Sequence, residues 1–258
     1  LQGDNLSTLI KLRDASTVEA DRNRLSVVLA YAYAAQERWA ELLPVAEALT
    51  QSSPDSLIAF NFAVQAYTGL KHLGDWQKLV DSRLEKYPDE VEYKRSKAQL
   101  AQYQGDVSTL QKVIKPLIDS GKASDQDLNL YAWSALLLPG PISPDAVEAA
   151  ERANTNTKSS NFPILHTLAC LYAYTGKTTQ ARELLLKAMD AAALEEPNSE
   201  IWFGLGELAE QYGELATAQT LYSRIEKPKV DVSGTSYMLA QQRLVALKSV
   251  ITAKGSGN

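Results

Sequence analysis

The sequence predicts an all-α solenoid of stacked helix pairs, and three observations carry that prediction. Ala, Leu, Gln and Glu are abundant and strand-forming residues never gather into alternating runs. One helix–glycine–helix pattern occurs twice at a fixed offset. Turn residues punctuate the rest of the chain at a similar interval.

The two aligned segments are Phe162 to Ala188 and Ser199 to Ile225, offset by 199 − 162 = 37 residues. In each, Leu168 or Leu205 precedes a small residue, Ala169 or Gly206. A glycine turn follows at Gly176 or Gly213, then an alanine at Ala181 or Ala218, and a larger apolar residue at Leu185 or Tyr222. Small residues are needed where two backbones cross, and a residue tolerating positive φ is needed at the turn. Large apolar residues at helical spacing form the seam with the next pair.

Earlier units keep the punctuation. Ser26, Leu29, Ala30 and Tyr33 lead to Trp39, and that unit ends at Pro54. Phe60 to Leu73 reads as a first helix with a turn at Gly74-Asp75-Trp76, and Pro88 ends the unit. Lys94 to Ala101 leads to Gly105-Asp106-Val107, so the turn recurs after 105 − 74 = 31 residues. Asp125 to Asn154 forms a fourth unit around Pro139 to Ser143, with Ser143 an N-cap and Pro144 at the first helical position. Pro44 and Pro116 fall inside expected second helices, where proline kinks the helix or marks a misplaced boundary.

This places six helix pairs between about residues 16 and 228, after a lead-in at Leu6 to Arg13. A capping helix is expected over about 236–253, with Met238, Leu239, Leu244, Leu247 and Ile251 inward and Gln241, Gln242, Arg243 and Lys248 on other faces. Residues 254–258 read as a flexible tail, and the whole of 1–258 as one solenoid. Trp39 and Trp76 are expected in equivalent places after their turns. Most of Tyr31, Tyr33, Tyr67, Tyr93, Tyr103, Tyr131, Tyr172, Tyr174, Tyr212 and Tyr222 are expected in the core.

The pattern Trp202, Leu205, Gly206, Ala218 and Pro228 resembles the tetratricopeptide repeat, whose period is about 34 residues. The resemblance implies a right-handed superhelical solenoid that binds a peptide or protein segment in a groove lined by the first helix of each pair. Carried over, the groove residues are Arg24 and Tyr31, then Glu92, Arg95, Gln99 and Tyr103, then His166 and Tyr174, then Phe203, Glu207 and Glu210. This surface would be more cationic near the N-terminal units and more acidic near the C-terminal ones. One use of the family clamps an acidic C-terminal peptide with Lys and then Asn four residues on. Here those places hold Arg24 and Val28, or Glu92 and Ser96, so that clamp is disfavoured.

The last third also looks like the C-terminal repeat region of large, often exported bacterial proteins that carry a transglutaminase-like domain upstream. The alternative function is therefore a non-catalytic repeat module of a larger bacterial enzyme, positioning substrate or assembling subunits. The chain starts at Leu1 rather than Met and is expected to be trimmed from a longer one, so the compartment stays open with a lean to a bacterial extracytoplasmic one.

Chemistry finds little foothold. The net charge is −5 and no eight-residue stretch is dominated by Lys and Arg, which argues against nucleic acid. No apolar run approaches the ~20 residues of a membrane helix. Cys170 is the single cysteine, and with His166 four residues earlier it makes at most a two-ligand half-site; a packed thiol is the expected role. No phosphate-binding loop, dinucleotide fingerprint or nucleophile elbow occurs. The carboxylate pairs Glu195-Glu196 and Glu207/Glu210 are expected to be surface charge. The reading is a protein-binding scaffold, not an enzyme, with no cofactor and no metal, and with its oligomeric state open.

Overall fold

The structure, a computed structural model, describes residues 3–228 and 233–255, with side chains described from Asn5 to 228 and from Ser233 to 249. Among these residues the regular structure is helical throughout, and the helices alternate first and second members of six pairs. A lead-in α1 (Gly3–Ala15) precedes α2 (Glu19–Ala35) with α3 (Trp39–Ser52), α4 (Leu57–Leu70) with α5 (Leu73–Lys86), and α6 (Val91–Gln104) with α7 (Val107–Asp119). Then come α8 (Asp125–Ser134), extended by a short 3₁₀ turn (Ala135–Leu137), with α9 (Pro144–Asn156), α10 (Phe162–Tyr174) with α11 (Thr178–Ala191), and α12 (Ser199–Gln211) with α13 (Leu215–Tyr222). The last helix is α14 (Ser236–Gly255). The expected tail beyond 255, and the inward role expected of Ile251, lie outside the described residues and side chains.

The chain divides into two compact units, Leu1–Leu100 and Ala101–Asn258. In the first, α2 packs on α3, α3 on α4 and α4 on α5; Leu29, Leu42, Phe60 and Trp76 are sealed from solvent. In the second, α8 packs on α9, α10 on α11 and α12, and α12 on α13, while α14 lies against both α12 and α13.

The turn inside five of the six pairs, all but α8 with α9, has one geometry. A left-handed residue sits two places before the second helix: Glu37, Lys71, Gly105, Gly176 and Gly213, with φ of 54°, 58°, 74°, 80° and 78°. Its N–H donates to the carbonyl three residues back, and the next N–H reaches five residues back, as in Arg38 to Tyr33, His72 to Tyr67 and Asp106 to Ala101. This is the Schellman arrangement, which satisfies carbonyls orphaned at the end of the first helix. The first three turns are spaced by 71 − 37 = 34 and 105 − 71 = 34 residues.

That spacing corrects the second unit. Its turn residue is Lys71, not Gly74, which lies inside α5; the expected interval of 31 becomes 34. Glycine identity misled there because a lysine occupies the left-handed position. Trp76 is consequently the equivalent of Leu42 (42 + 34 = 76) and is fully buried, with Nε1 donating to Ser96 at 2.8 Å. Trp39 instead opens α3, half-buried, its ring against Gly69, where a Cβ would fall 2.3 Å from Cγ. Pro44 and Pro116 lie inside α3 and α7, so the helix boundaries around them stand.

First helices begin on side-chain caps: Ser56, Ser124, Asn161 and Asn198 each accept a backbone N–H three residues on, and Ser124 with Asp127 completes a capping box. The fourth unit behaves as expected, with Ser143 capping α9 and Pro144 at its start. Most second helices (those after Arg38, His72, Lys177 and Glu214) lack a side-chain cap, because the preceding turn already fixes their first residues.

The small-residue positions have the expected cause. A Cβ on Gly206 would lie 2.4 Å from Cε1 of Tyr222, and Ala181 and Ala218 are sealed. The aromatic expectation holds in part: Tyr33, Tyr67, Tyr93, Tyr131 and Tyr222 are buried, but Tyr31, Tyr174 and Tyr212 are exposed.

Two substitutions test the turn and the crossing. Lys71→Gly relieves a left-handed lysine and should stabilise the chain by about 0.5–1 kcal/mol in urea unfolding. Gly206→Ala gains helix propensity of roughly 1 kcal/mol but drives a methyl into a buried ring, so it should destabilise by about 1–3 kcal/mol net.

Candidate functional site

The first helices carry the residues expected to meet a ligand, and each unit arranges them differently. In the first unit, Arg24, Val28 and Tyr31 lie at i, i+4 and i+7 on α2 and are all exposed, Tyr31 at 58 %. Adding 34 residues carries Arg24 to Ile58 and Glu92, and Tyr31 to Gln65 and Gln99. Ile58 is 49 % exposed, Gln65 and Gln99 are exposed and Glu92 is half-buried, so two rows of side chains repeat on three consecutive first helices. The Tyr31 ring meets Phe62 of α4 edge-on at 4.8 Å. Arg24 pairs with Asp21 at 3.5 Å and Arg95 with Glu92 at 2.5 Å, so each expected cation has an acidic neighbour on its own helix. Tyr103, half-buried, lies near the end of α6. Ile58 and Gln65 were missed by the motif and are legible only once the 34-residue register is known.

In the second unit His166, Phe203, Glu207 and Glu210 turn inward, while Tyr174 stays exposed. His166 is 4 % exposed, packed among Trp133, Phe162 and Phe203 with ring centroids 5.3, 6.3 and 6.5 Å away. Residues 233–236 run past these rings: Trp133 Nε1 donates to the Gly234 carbonyl at 2.6 Å, and Gly234, Thr235 and Ser236 share a hollow with Trp133, Phe162 and His166. The chain itself therefore covers this part of the first-helix face. Burial holds the His166 imidazole down to a pKa of about 4, and pushes the Cys170 thiol well up, with Glu207 adding to the rise. The 3.3 Å contact between Cys170 Sγ and His166 Nε2 thus joins a neutral thiol to a neutral ring, and Cys170 is a packed residue. Among the described residues no group of three or more His, Cys, Asp or Glu could hold a metal ion. No described helix is long and apolar enough to cross a membrane.

Glu207 and Glu210 depart from the expected surface charge. Glu207 is 4 % exposed and the Glu210 side chain 10 %, because α14 lies over them. Arg243, expected on a polar face of α14, instead grips Glu210 in a two-pronged pair, with Nε 2.8 Å from Oε1 and a second bond from Nη2 to Oε2. That pairing raises the pKa of the guanidinium further and fixes Glu210 as a carboxylate. Tyr222 Oη lies 2.9 Å from Glu207 Oε1 and 2.8 Å from Glu210 Oε1. A phenol has one hydrogen, so it can donate to only one of them. Where Glu207 is protonated it can donate to Tyr222 while Tyr222 donates to Glu210; where it is ionised Tyr222 donates to Glu207 and Arg243 alone holds Glu210. Burial, with Glu210 adding to it, raises the Glu207 carboxyl from 4.5 to about 7 against the lowering pull of the Tyr222 hydroxyl and of Arg243. Tyr222 is likewise shifted far up by burial and the two carboxylates.

A cavity of about 290 Å³ opens beside this chain of groups, walled by Leu136, Leu137, Leu138, Phe203 and Leu239, with Tyr174, Glu207, Gln242 and Arg243 among its polar lining. It gathers Tyr174, Phe203 and Glu207 of the expected set. The repeat pattern marked Tyr222 only as a large seam residue and Arg243 not at all, since only the docking of α13 and α14 brings the hydroxyl and the guanidinium to the glutamates of α12.

A solved tetratricopeptide repeat protein from Parabacteroides merdae ATCC 43184 superposes with a TM-score of 0.63 at 12 % identity, over 94 % of this chain and 91 % of that one. The fold is tetratricopeptide-repeat-like. The sequence matches no family model, and no curated protein matches it significantly. The described residues form an all-helical repeat fold.

Ionisation of Glu207 gives a stability signature. A carboxyl raised in the folded state favours folding fully below its unfolded pKa and loses that contribution as pH rises from about 4.5 through about 7. Glu207→Gln keeps the donor to Tyr222 without the ionisation. Relative to the parent it should gain about 1–3 kcal/mol between pH 5 and pH 8, read as a widening gap in chemical unfolding midpoints. A gap that stays constant across this range would contradict the protonated assignment.

Proposed function

We propose that this protein is an interaction scaffold that binds a peptide or protein segment across the faces of its first helices, and that it does no catalysis of its own. The observation that carries the reading is the repeated pair of rows on α2, α4 and α6: Arg24, Ile58 and Glu92, and Tyr31, Gln65 and Gln99. Side chains presented at one interval from consecutive helices can meet successive residues of a single extended segment. Ile58 and Tyr31, large and exposed, offer the apolar area such an interface needs at its centre.

The test is selection of binders from a random peptide library displayed on phage against the full chain. Selected peptides should lose about tenfold or more in affinity to Tyr31→Ala and to Ile58→Ala, the loss expected for removing about 1.4 kcal/mol or more each. They should be insensitive to Leu186→Ala, an equally exposed residue on a second helix. Peptides whose affinity follows Leu186 and ignores Tyr31 and Ile58 would overturn the reading.

A further inference from the structure

Glu207 brings a carboxyl group to the wall of a cavity with only one of its oxygens held by another side chain. Glu207 Oε1 is engaged by Tyr222, and Oε2 has no hydrogen-bond partner. Oε2 is also absent from the sealed unpartnered atoms, Arg83 Nε, Asn129 Oδ1 and Asn154 Oδ1, so it retains an open side, and Glu207 borders the cavity. A buried polar atom facing a cavity marks a place for a donor.

We propose that this cavity takes a lysine-type side chain, a primary ammonium on an apolar stem, with Glu207 as its counter-ion. This deepens, and rests on, the reading of the first-helix faces as a segment-binding surface. Three features select that chemistry. With Glu207 protonated the group is neutral, Glu210 against Arg243, and exchanging that proton for an ammonium keeps it so, whereas an anion or a second neutral acid has no such exchange to make. Arg243 is already committed to Glu210 in two bonds and does not compete for Glu207. The open acceptor is a single oxygen, which suits a compact ammonium and not the two-pronged fork of a guanidinium. Leu136, Leu137, Phe203 and Leu239 supply apolar wall for the methylene stem, whose head alone needs polar company.

Binding must also displace the proton that Glu207 holds at rest. The ammonium then lies on Oε2, the proton leaves to solvent, and Tyr222 turns its one hydrogen to Glu207 Oε1 while Arg243 continues to hold Glu210. The groups facing Glu207 are Glu210 of its own helix, Tyr222 of α13, Arg243 of α14, and Cys170 of α10. Of these Glu210 and Arg243 are locked in a pair, and the thiol and phenol are raised far from neutrality. Glu207 therefore sets the pH dependence. With its carboxyl at about 7, affinity for the ammonium should rise about tenfold from pH 6 to pH 8.

The experiment titrates the full chain, with leucine methyls labelled, with N-acetyl-lysine methylamide and its norleucine and arginine analogues. Saturable shifts of the Leu136, Leu137 and Leu239 methyls are expected with the lysine probe, at least tenfold weaker for norleucine and for arginine, and stronger at pH 8 than at pH 6. Glu207→Gln, expected to fold at least as stably as the parent, should bind all three probes equally weakly and without pH dependence. Equal binding of lysine and norleucine by the parent, stronger binding of arginine, or unchanged lysine affinity in Glu207→Gln would each overturn the site. The small probes need no scaffold function. Selected peptides that bind regardless of lysine would sink this site alone, and lysine capture without any selected peptide would sink only the scaffold reading.

Discussion

Two helices of a pair can lie close only if the chain reverses between them within a few residues, and every other feature follows from that reversal. A left-handed residue at Glu37, Lys71, Gly105, Gly176 or Gly213 turns the backbone, and its amide and the next return to the carbonyls of the helix just ended. The second helix then starts two residues later with no room for large side chains at the crossing. Gly206 under the Tyr222 ring, with Ala181 and Ala218 sealed, is the direct consequence. Lysine and glutamate are accepted at two of these turns because the hydrogen bonds they complete offset a strain of about 1–2 kcal/mol.

Once the pairs are fixed, the exposed positions of successive first helices are fixed with them. A register of 34 residues aligns Arg24, Ile58 and Glu92, and Tyr31, Gln65 and Gln99, without any direct contact being required among the members of a row. The second unit uses the same scaffold differently. There residues 233–236 and α14 cover part of the first-helix face, so His166, Phe203 and Glu207 are buried although they occupy positions expected to meet a ligand. The Tyr222 hydroxyl has one hydrogen for two carboxyl groups, and Arg243, by holding Glu210 as a carboxylate, leaves Glu207 as the one whose proton burial favours.

The sequence by itself determined the helical class, the six pairs, the lead-in and the final helix, because hydrophobic period and turn chemistry are local properties of the chain. The 37-residue offset between α10 and α12 was legible for the same reason. Lys71 was not, since the left-handed position there is defined by hydrogen bonds and carries no glycine to mark it. Only the tertiary structure decided what the site is. Arg243 stands 33 residues from Glu210 and Tyr222 stands 15 from Glu207, on helices whose docking no local pattern encodes. Their burial turned an ordinary pair of glutamates into one locked carboxylate and one proton-bearing acid beside a cavity, because the cost of charge depends on surroundings that only the folded chain supplies.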